Sequence, residues 1–305
     1  MYKVRFTWFE KDFNSKNNFF TDALNNIYGT IEVITSPSAH CDLEIISCHK
    51  PINQMVSGRV RRFIDNKPVA SADLSLFYPA VYDLKTKNSK RRIWYTAENL
   101  RPPMDHIFDG TLSYDQDTYS GTNHYMPYWY QHAGFFGKSF VPRVGKYSNT
   151  EILLSPRSLS KKQKFACAFI RNLDPVRLRL FEKLRQFGEV DLYGQKFNSN
   201  VPEKYEVAKN YKYQVCLEND LYPGYVTEKL IESFLCDNVP IYWGDFGKDE
   251  SINRSGIINL KDFDSMGELV QRIKIINDDE YEHIYSNSYL KFLPDLNPIT
   301  QLLIG

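Results

Sequence analysis

The sequence predicts an α/β protein built as two halves, and three observations carry that expectation. Short apolar segments of strand length alternate with helical periodicities along the chain. The order strand, loop, helix, strand is complete between Tyr211 and Gly244. Between the halves runs Leu154 to Lys164, polar, basic and interrupted by Pro156, with the composition of an interdomain linker. At 305 residues the chain has room for two domains of ordinary size, each with its own core.

Taken in order, the first half places strands at Lys3 to Trp8, Ile31 to Thr35, Leu43 to Ser47 and Ile93 to Thr96, with a helix around Asn18 to Ile27. The second half opens with a strand from Phe165 to Ile170. Asp174 is its following N-cap, Pro175 the first helical residue, and Gly188 the stop before a strand from Glu189 to Tyr193. Tyr213 to Leu217 is short and apolar, as a buried strand is, and Pro223-Gly224 supplies a turn. Val226, Leu230, Ile231 and Phe234 recur at helical spacing on one face, with Thr227 as N-cap. Asn238-Val239-Pro240 stops that helix before a strand from Val239 to Trp243. The chain therefore divides into a domain at 1–153, a linker at 154–163, a second domain at 164–285 and a C-terminal segment at 286–305. No internal repeat or low-complexity tract is visible.

Composition narrows the function classes. With 38 Lys plus Arg against 37 Asp plus Glu there is no global pull toward nucleic acid, so charge argues only for local sites. No apolar run reaches the ~20 residues that span a bilayer. The N-terminus lacks the pattern of a signal peptide and reads as a first strand, so a cytoplasmic protein is expected. Cys41, Cys48, Cys167, Cys216 and Cys236 read as reduced thiols. The strand expected between His40-Cys41 and Cys48-His49 would hold the two cysteines roughly 23 Å apart, too far for one zinc ion. The 21 Tyr and 20 Phe build cores, and rings left in loops also stack on the apolar faces of sugars.

The residues that carry chemistry sit at strand ends. In a βαβ unit the carboxyl end of the first strand and the N-terminus of the helix form an anion site, and Asn219, Tyr225, Glu228 and Lys229 converge on one. Lys229 offers charge to a phosphate and Glu228 suits a sugar hydroxyl. Arg177 lies in the first turn of the preceding helix, so two helix N-termini can clamp one diphosphate. Read singly, Arg177 and the Glu228-Lys229 pair are also ordinary helix-surface charges, and Glu98, after an apolar strand, is also a surface carboxylate. Asp245-Phe246-Gly247 has no kinase loops around it and reads as a turn. Asp115-Gln116-Asp117 and Asp262-Phe263-Asp264 have a spacing used by metal-dependent sugar transferases, but neither follows a strongly apolar strand. The clusters Arg59-Val60-Arg61-Arg62 and Lys85 to Arg92 read as solvated loops, with an anionic glycolipid or membrane surface as the sharper alternative. Within the ring-dense stretch His124 to Phe136, Tyr128, Trp129 and His132 are candidates for stacking on a sugar.

Together, Glu98, Arg177 and the block Glu218 to Lys229 resemble the α1,3-fucosyltransferase family, especially its bacterial members. The specific match is Leu-Glu-Asn-Asp-Leu-Tyr-Pro-Gly-Tyr-Val-Thr-Glu-Lys-Leu followed by Val-Pro-Ile-Tyr-Trp-Gly, which is similar to the family's donor-binding signature. Weaker similarity covers Asp174-Pro-Val-Arg, Tyr-Thr-Ala-Glu-Asn around Glu98, Ile107-Phe-Asp-Gly and Met126-Pro127. The resemblance implies a GT-B architecture, two Rossmann-like α/β domains facing a central cleft. It implies inverting, metal-independent transfer of L-fucose from GDP-β-L-fucose to a hydroxyl, O3 of an N-acetylglucosamine in a lactosamine-type acceptor, as in bacterial lipopolysaccharide or glycan synthesis. In that light Glu98 resembles the general base, Arg177 and Lys229 the diphosphate ligands, Glu228 a ribose or donor contact, and Asn219 and Tyr225 further donor contacts. The partners implied are GDP-fucose and an oligosaccharide or glycolipid acceptor, with no nucleic acid and with peripheral membrane contact left to the basic loops. The first domain would hold the acceptor and the base, the second the GDP-sugar. The sequence shows neither the membrane anchor of animal members nor the heptad-repeat tail of some bacterial ones. Two other readings stay open: a transferase for another GDP-deoxysugar, and a catalytically silent glycan-binding homologue.

Overall fold

A computed structural model describes residues 1–48, 88–102, 108–171, 175–197, 199 and 201–305. The Arg59 to Arg62 cluster, the Lys85 to Lys87 part of the second basic cluster, His49, Ile107 and the N-cap expected at Asp174 lie outside the described residues. The chain forms two compact units, residues 1–130 with 295–305, and residues 131–294.

The first unit is a parallel sheet of β1 (Tyr2–Thr7), β2 (Ile31–Val33), β3 (Cys41–Ile46), β4 (Ser89–Tyr95), β5 (Gly110–Ser113) and β6 (Asn123–Tyr125), in the order β2-β1-β3-β4-β5-β6. Helix α1 (Phe19–Tyr28) starts at Asn18, whose side chain accepts from the backbone N–H groups of Phe20 and Thr21 while Thr21 returns the bond. That capping box satisfies donors the first turn leaves orphaned. Phe19, Phe20, Ala23 and Leu24 then bury one face of the helix.

Register explains the charges in these strands. Glu44 pairs across β3 with Arg5 of β1 and Arg92 of β4. Its carboxylate takes Arg5 Nε at 3.0 Å and Arg92 Nε at 3.3 Å, all three side chains being buried. Burial raises the Glu44 pKa, but the bonds from Arg5 and Thr7 outweigh it and the net shift is downward. Ser89 to Arg92 is thus the opening half of a central strand and not the solvated loop that its charge suggested. Lys90 pairs with Asp42 at 2.7 Å.

The second unit begins with an antiparallel hairpin, β7 (Ser139–Val141) and β8 (Lys146–Ser148), and a short helix α2 (Thr150–Leu154). A parallel sheet follows, of β9 (Lys164–Phe169), β10 (Val190–Tyr193), β11 (Tyr211–Leu217), β12 (Val239–Trp243) and β13 (Ile258–Asn259), ordered β10-β9-β11-β12-β13. Its helices are α3 (Pro175–Leu184), α4 (Lys204–Ala208), α5 (Glu228–Leu235), α6 (Met266–Ile275) and α7 (Asp278–Tyr285). Ala166, Ala168, Leu180, Phe181, Val239, Ile241 and Leu269 form the centre of the core. Helix α8 (Asn297–Ile304) belongs to the first unit, where Leu302 lies so close to Gly110 that a Cβ there would meet its Cδ1 at 2.4 Å.

The compact units do not divide where composition divides the chain. The boundary falls at Tyr130/Gln131, and 295–305 return to the first unit. Within the expected linker, Arg157 donates to Tyr285 O at 3.0 Å and Asn238 O at 2.8 Å, with its guanidinium over the rings of Phe234 and Tyr285. Lys162 donates to the carbonyls of Lys209 and Asp237. Burial pushes Arg157 down to about 10 and Lys162 down to about 8. The stretch is polar and basic because it straps helix ends through their carbonyls, a role that composition cannot separate from that of a solvated linker.

Candidate active site

Strand order points to the place. In both sheets the chain winds outward in opposite directions from a central pair, β1/β3 in the first unit and β9/β11 in the second, and in open α/β sheets ligands gather at the carboxyl ends of strands near such a reversal. At the β9/β11 switch the chain places Glu218 directly after β11, with no exposed surface. A buried carboxylate requires partners, and it has four: Thr227 N–H at 2.8 Å, Thr227 Oγ1 at 2.7 Å, Tyr242 OH at 3.1 Å and Lys229 Nζ at 2.9 Å.

Thr227 is also the N-cap of α5, so one hydroxyl ties the strand end to the helix start. The Lys229 ammonium donates to Glu218 and to Thr227 Oγ1, both at 2.9 Å, and a three-donor group so held keeps one N–H for a ligand. Burial disfavours its charge, but Glu218 and Glu228 outweigh that and raise its pKa, so it is cationic at neutral pH. From α3, Arg177 Nη2 reaches Glu218 O at 3.2 Å and Asn219 Oδ1 at 3.1 Å. Arg177, Asn219 and Lys229 therefore meet around one strand end.

The loop between Glu218 and Thr227 turns at Gly224, whose φ of 87° only glycine adopts freely and whose N–H bonds Asp245 O at 2.8 Å. Tyr225 follows with 3% of its surface exposed. It lines the loop as a buried side chain next to Gly224.

Glu228 leaves α5 on another face, with a largely buried carboxylate 3.4 Å from Arg143 of the hairpin. Burial raises its pKa, but Lys229, Arg143, Lys204 and His132 outweigh burial and bring it to about 2. His132 lies in the second unit near Glu232 and Glu228, and burial lowers its pKa against their pull. It therefore lies in the electrostatic field of the α5 carboxylates, at the end of the 3-10 turn Tyr128–His132. Trp129 has no exposed surface and packs edge-on against Tyr130 at 4.6 Å. It is a core residue and cannot stack on a sugar, whereas Tyr128 is half-buried.

In the first unit Glu98 is exposed, three residues past the end of β4. Thr96 Oγ1 accepts from its N–H at 3.0 Å and donates to its carbonyl at 3.2 Å, fixing the backbone while the carboxylate stays in solvent. Asp115, by contrast, is buried and bound by Arg101 at 2.7 Å and Tyr119 OH at 2.5 Å. Asp245 caps Gly247 N–H in a turn. Among the described residues no group of three His, Cys, Asp or Glu side chains is placed to hold a metal ion, and no helix is long and apolar enough to cross a membrane. All five cysteines are free thiols.

Glu218 and Arg143 were not singled out from the sequence. A glutamate ending an apolar strand is itself a signal, because a charge there must be paired. Arg143 gives no such signal, 85 residues from its partner.

Two Rossmann-like parallel α/β units, one with cations gathered at its switch point, define a glycosyltransferase fold of the GT-B class. A crystal structure of α1,3-fucosyltransferase with GDP-fucose matches at a TM-score of 0.67 and 19% identity, covering 100% of this chain and 90% of that one. Residues 159–296 match the model for glycosyltransferase family 10 (fucosyltransferase), C-terminal. The α-(1,3)-fucosyltransferase FucT of Helicobacter pylori is 28% identical over 244 residues, 72% of this chain and 49% of that protein. The 4-galactosyl-N-acetylglucosaminide 3-α-L-fucosyltransferase 9 of Bos taurus is 27% identical over 196 residues, 61% and 49% of the two chains. The chain is thus similar to α-(1,3)-fucosyltransferases, with the glycosyltransferase family 10 (fucosyltransferase) match confined to residues 159–296. It spans about half the length of the two relatives.

Proposed function

We propose that this chain is an inverting α1,3-fucosyltransferase that moves L-fucose from GDP-β-L-fucose to O3 of an N-acetylglucosamine in a lactosamine-type acceptor. The observation that carries it is the convergence of Arg177 and Lys229 at the end of β11, with Glu218 holding the lysine charged. Two cations on fixed backbone suit a diphosphate whose negative charge grows as it leaves. Glu98 takes the acceptor hydroxyl proton, the oxygen forms its bond to the anomeric carbon, and the carbon–oxygen bond to the diphosphate breaks with its electron pair leaving on GDP. Arg177, Lys229 and the helix N-terminus at Thr227 supply the charge that a divalent ion supplies elsewhere, so the reaction needs none. Glu228 accepts from a ribose hydroxyl.

The test is incubation of the purified chain with GDP-fucose and N-acetyllactosamine, with and without chelator, followed by mass spectrometry and linkage analysis. One added deoxyhexose at O3, undiminished by chelator, is the expected product. No transfer to any lactosamine-type acceptor defeats the activity, and a strict metal requirement defeats the metal-free step.

A further inference from the structure

Arg143 has a fixed backbone and a largely exposed side chain. Its carbonyl accepts from Lys204 N–H at 2.8 Å, and the next carbonyl, Val144 O, accepts from Tyr205 N–H at 3.3 Å, so the hairpin tip sits on the start of α4. Gly145 turns the tip at φ 78°, a conformation that favours glycine, close to the Glu203 carboxyl group. Lys146 closes the other side, donating to Leu235 O at 3.2 Å and lying 4.0 Å over the Tyr205 ring.

From this anchored tip the Arg143 side chain, 61% exposed, meets Glu228 at 3.4 Å. With its arginine end in solvent and a separation of 3.4 Å, the pair adds little to the stability of the hairpin. Its consequence falls on Glu228, whose carboxylate also lies in the field of Lys229, Lys204 and His132, while Glu232 follows on the same helix. Lys204 is already paired to Glu232, and among the described residues Arg143 makes the ion pair with the Glu228 carboxylate.

We propose that Arg143 is a positioning residue for nucleotide recognition, orienting the Glu228 carboxylate so that it accepts from the ribose hydroxyls of a nucleoside diphosphate. This rests on the donor-site reading above and adds a residue to it. Calorimetry of the full chain with GDP and 2′-deoxy-GDP tests it. The wild type favours GDP by about tenfold or more, as a lost charge-assisted hydrogen bond requires. In Arg143→Ala, GDP binding weakens by about tenfold and 2′-deoxy-GDP binding by less than about threefold, so the preference collapses; Arg143→Lys restores part of it. A preference left intact in a folded Arg143→Ala, or an equal loss for both nucleotides, overturns the proposal. Wild type that binds neither nucleotide defeats the donor-site reading and this inference with it, whereas binding of both with an unmoved ratio defeats the inference alone.

Discussion

The two units wind their sheets in the same order yet finish their strand ends differently. The second unit buries Glu218 at its switch point and surrounds it with Thr227, Tyr242 and Lys229. The first leaves Glu98 in solvent, and the hydrogen bonds to it from the described residues reach its backbone. The difference matches what each end is proposed to meet. A diphosphate carries fixed charge and is best held by dipoles and cations already in place, so that little reorganisation accompanies the chemistry. A base for a neutral hydroxyl needs first of all to reach the proton it abstracts.

The sharpest break in that contrast is Glu98→Gln. If the first unit contributes a base, kcat falls ~10²–10⁴-fold while GDP binding stays within about twofold, because the amide keeps the shape and cannot take the proton. A rate within about threefold of wild type would return Glu98 to the surface.

Glu218→Ala attacks the other end. It leaves Lys229 without its buried counter-charge and Tyr242 and Thr227 without their acceptor, so stability falls by about 3–5 kcal/mol. Urea unfolding reads this directly, and a midpoint indistinguishable from wild type would show that the hub does not hold the strand end to α5.

Arg177→Ala and Lys229→Ala weaken GDP binding by about 2–4 kcal/mol each, with melting temperature much less affected than in Glu218→Ala. Unchanged GDP affinity in both variants would remove the clamp and with it the distinction between the two units.

The smallest effect is in the acid limb. Glu228 titrates near its ordinary 4.5 when unfolded and at about 2 when folded, so its stabilisation is complete above pH 4.5 and is lost as pH falls toward 2. Relative to Glu228→Gln, the wild type should lose about 1 kcal/mol between pH 4.5 and 3.5. Parallel stability curves for the two proteins would mean that the carboxylate is not held by its cations.

Local pattern determined much of this protein. The apolar strand Tyr211–Leu217, the cap Thr227, the helix behind it and the strand Val239–Trp243 are short-range features, and the chain shows them as strand, cap, helix and strand. Arg177, Asn219, Glu228 and Lys229 could be nominated for the same reason, since each sits at a fixed offset from a strand or helix end. The fold alone decided which charges face which. Arg92 looked like part of a solvated cluster until register set it opposite Glu44, and Arg157 looked like linker until its guanidinium was seen between two rings. Trp129 stood among rings whose composition does not distinguish core from surface, and burial settled it. Arg143 meets Glu228 across 85 residues because a hairpin tip docks on α4. Sequence periodicity reports the direction a side chain takes from its own element, and only the packing of elements from distant parts of the chain determines what stands in that direction.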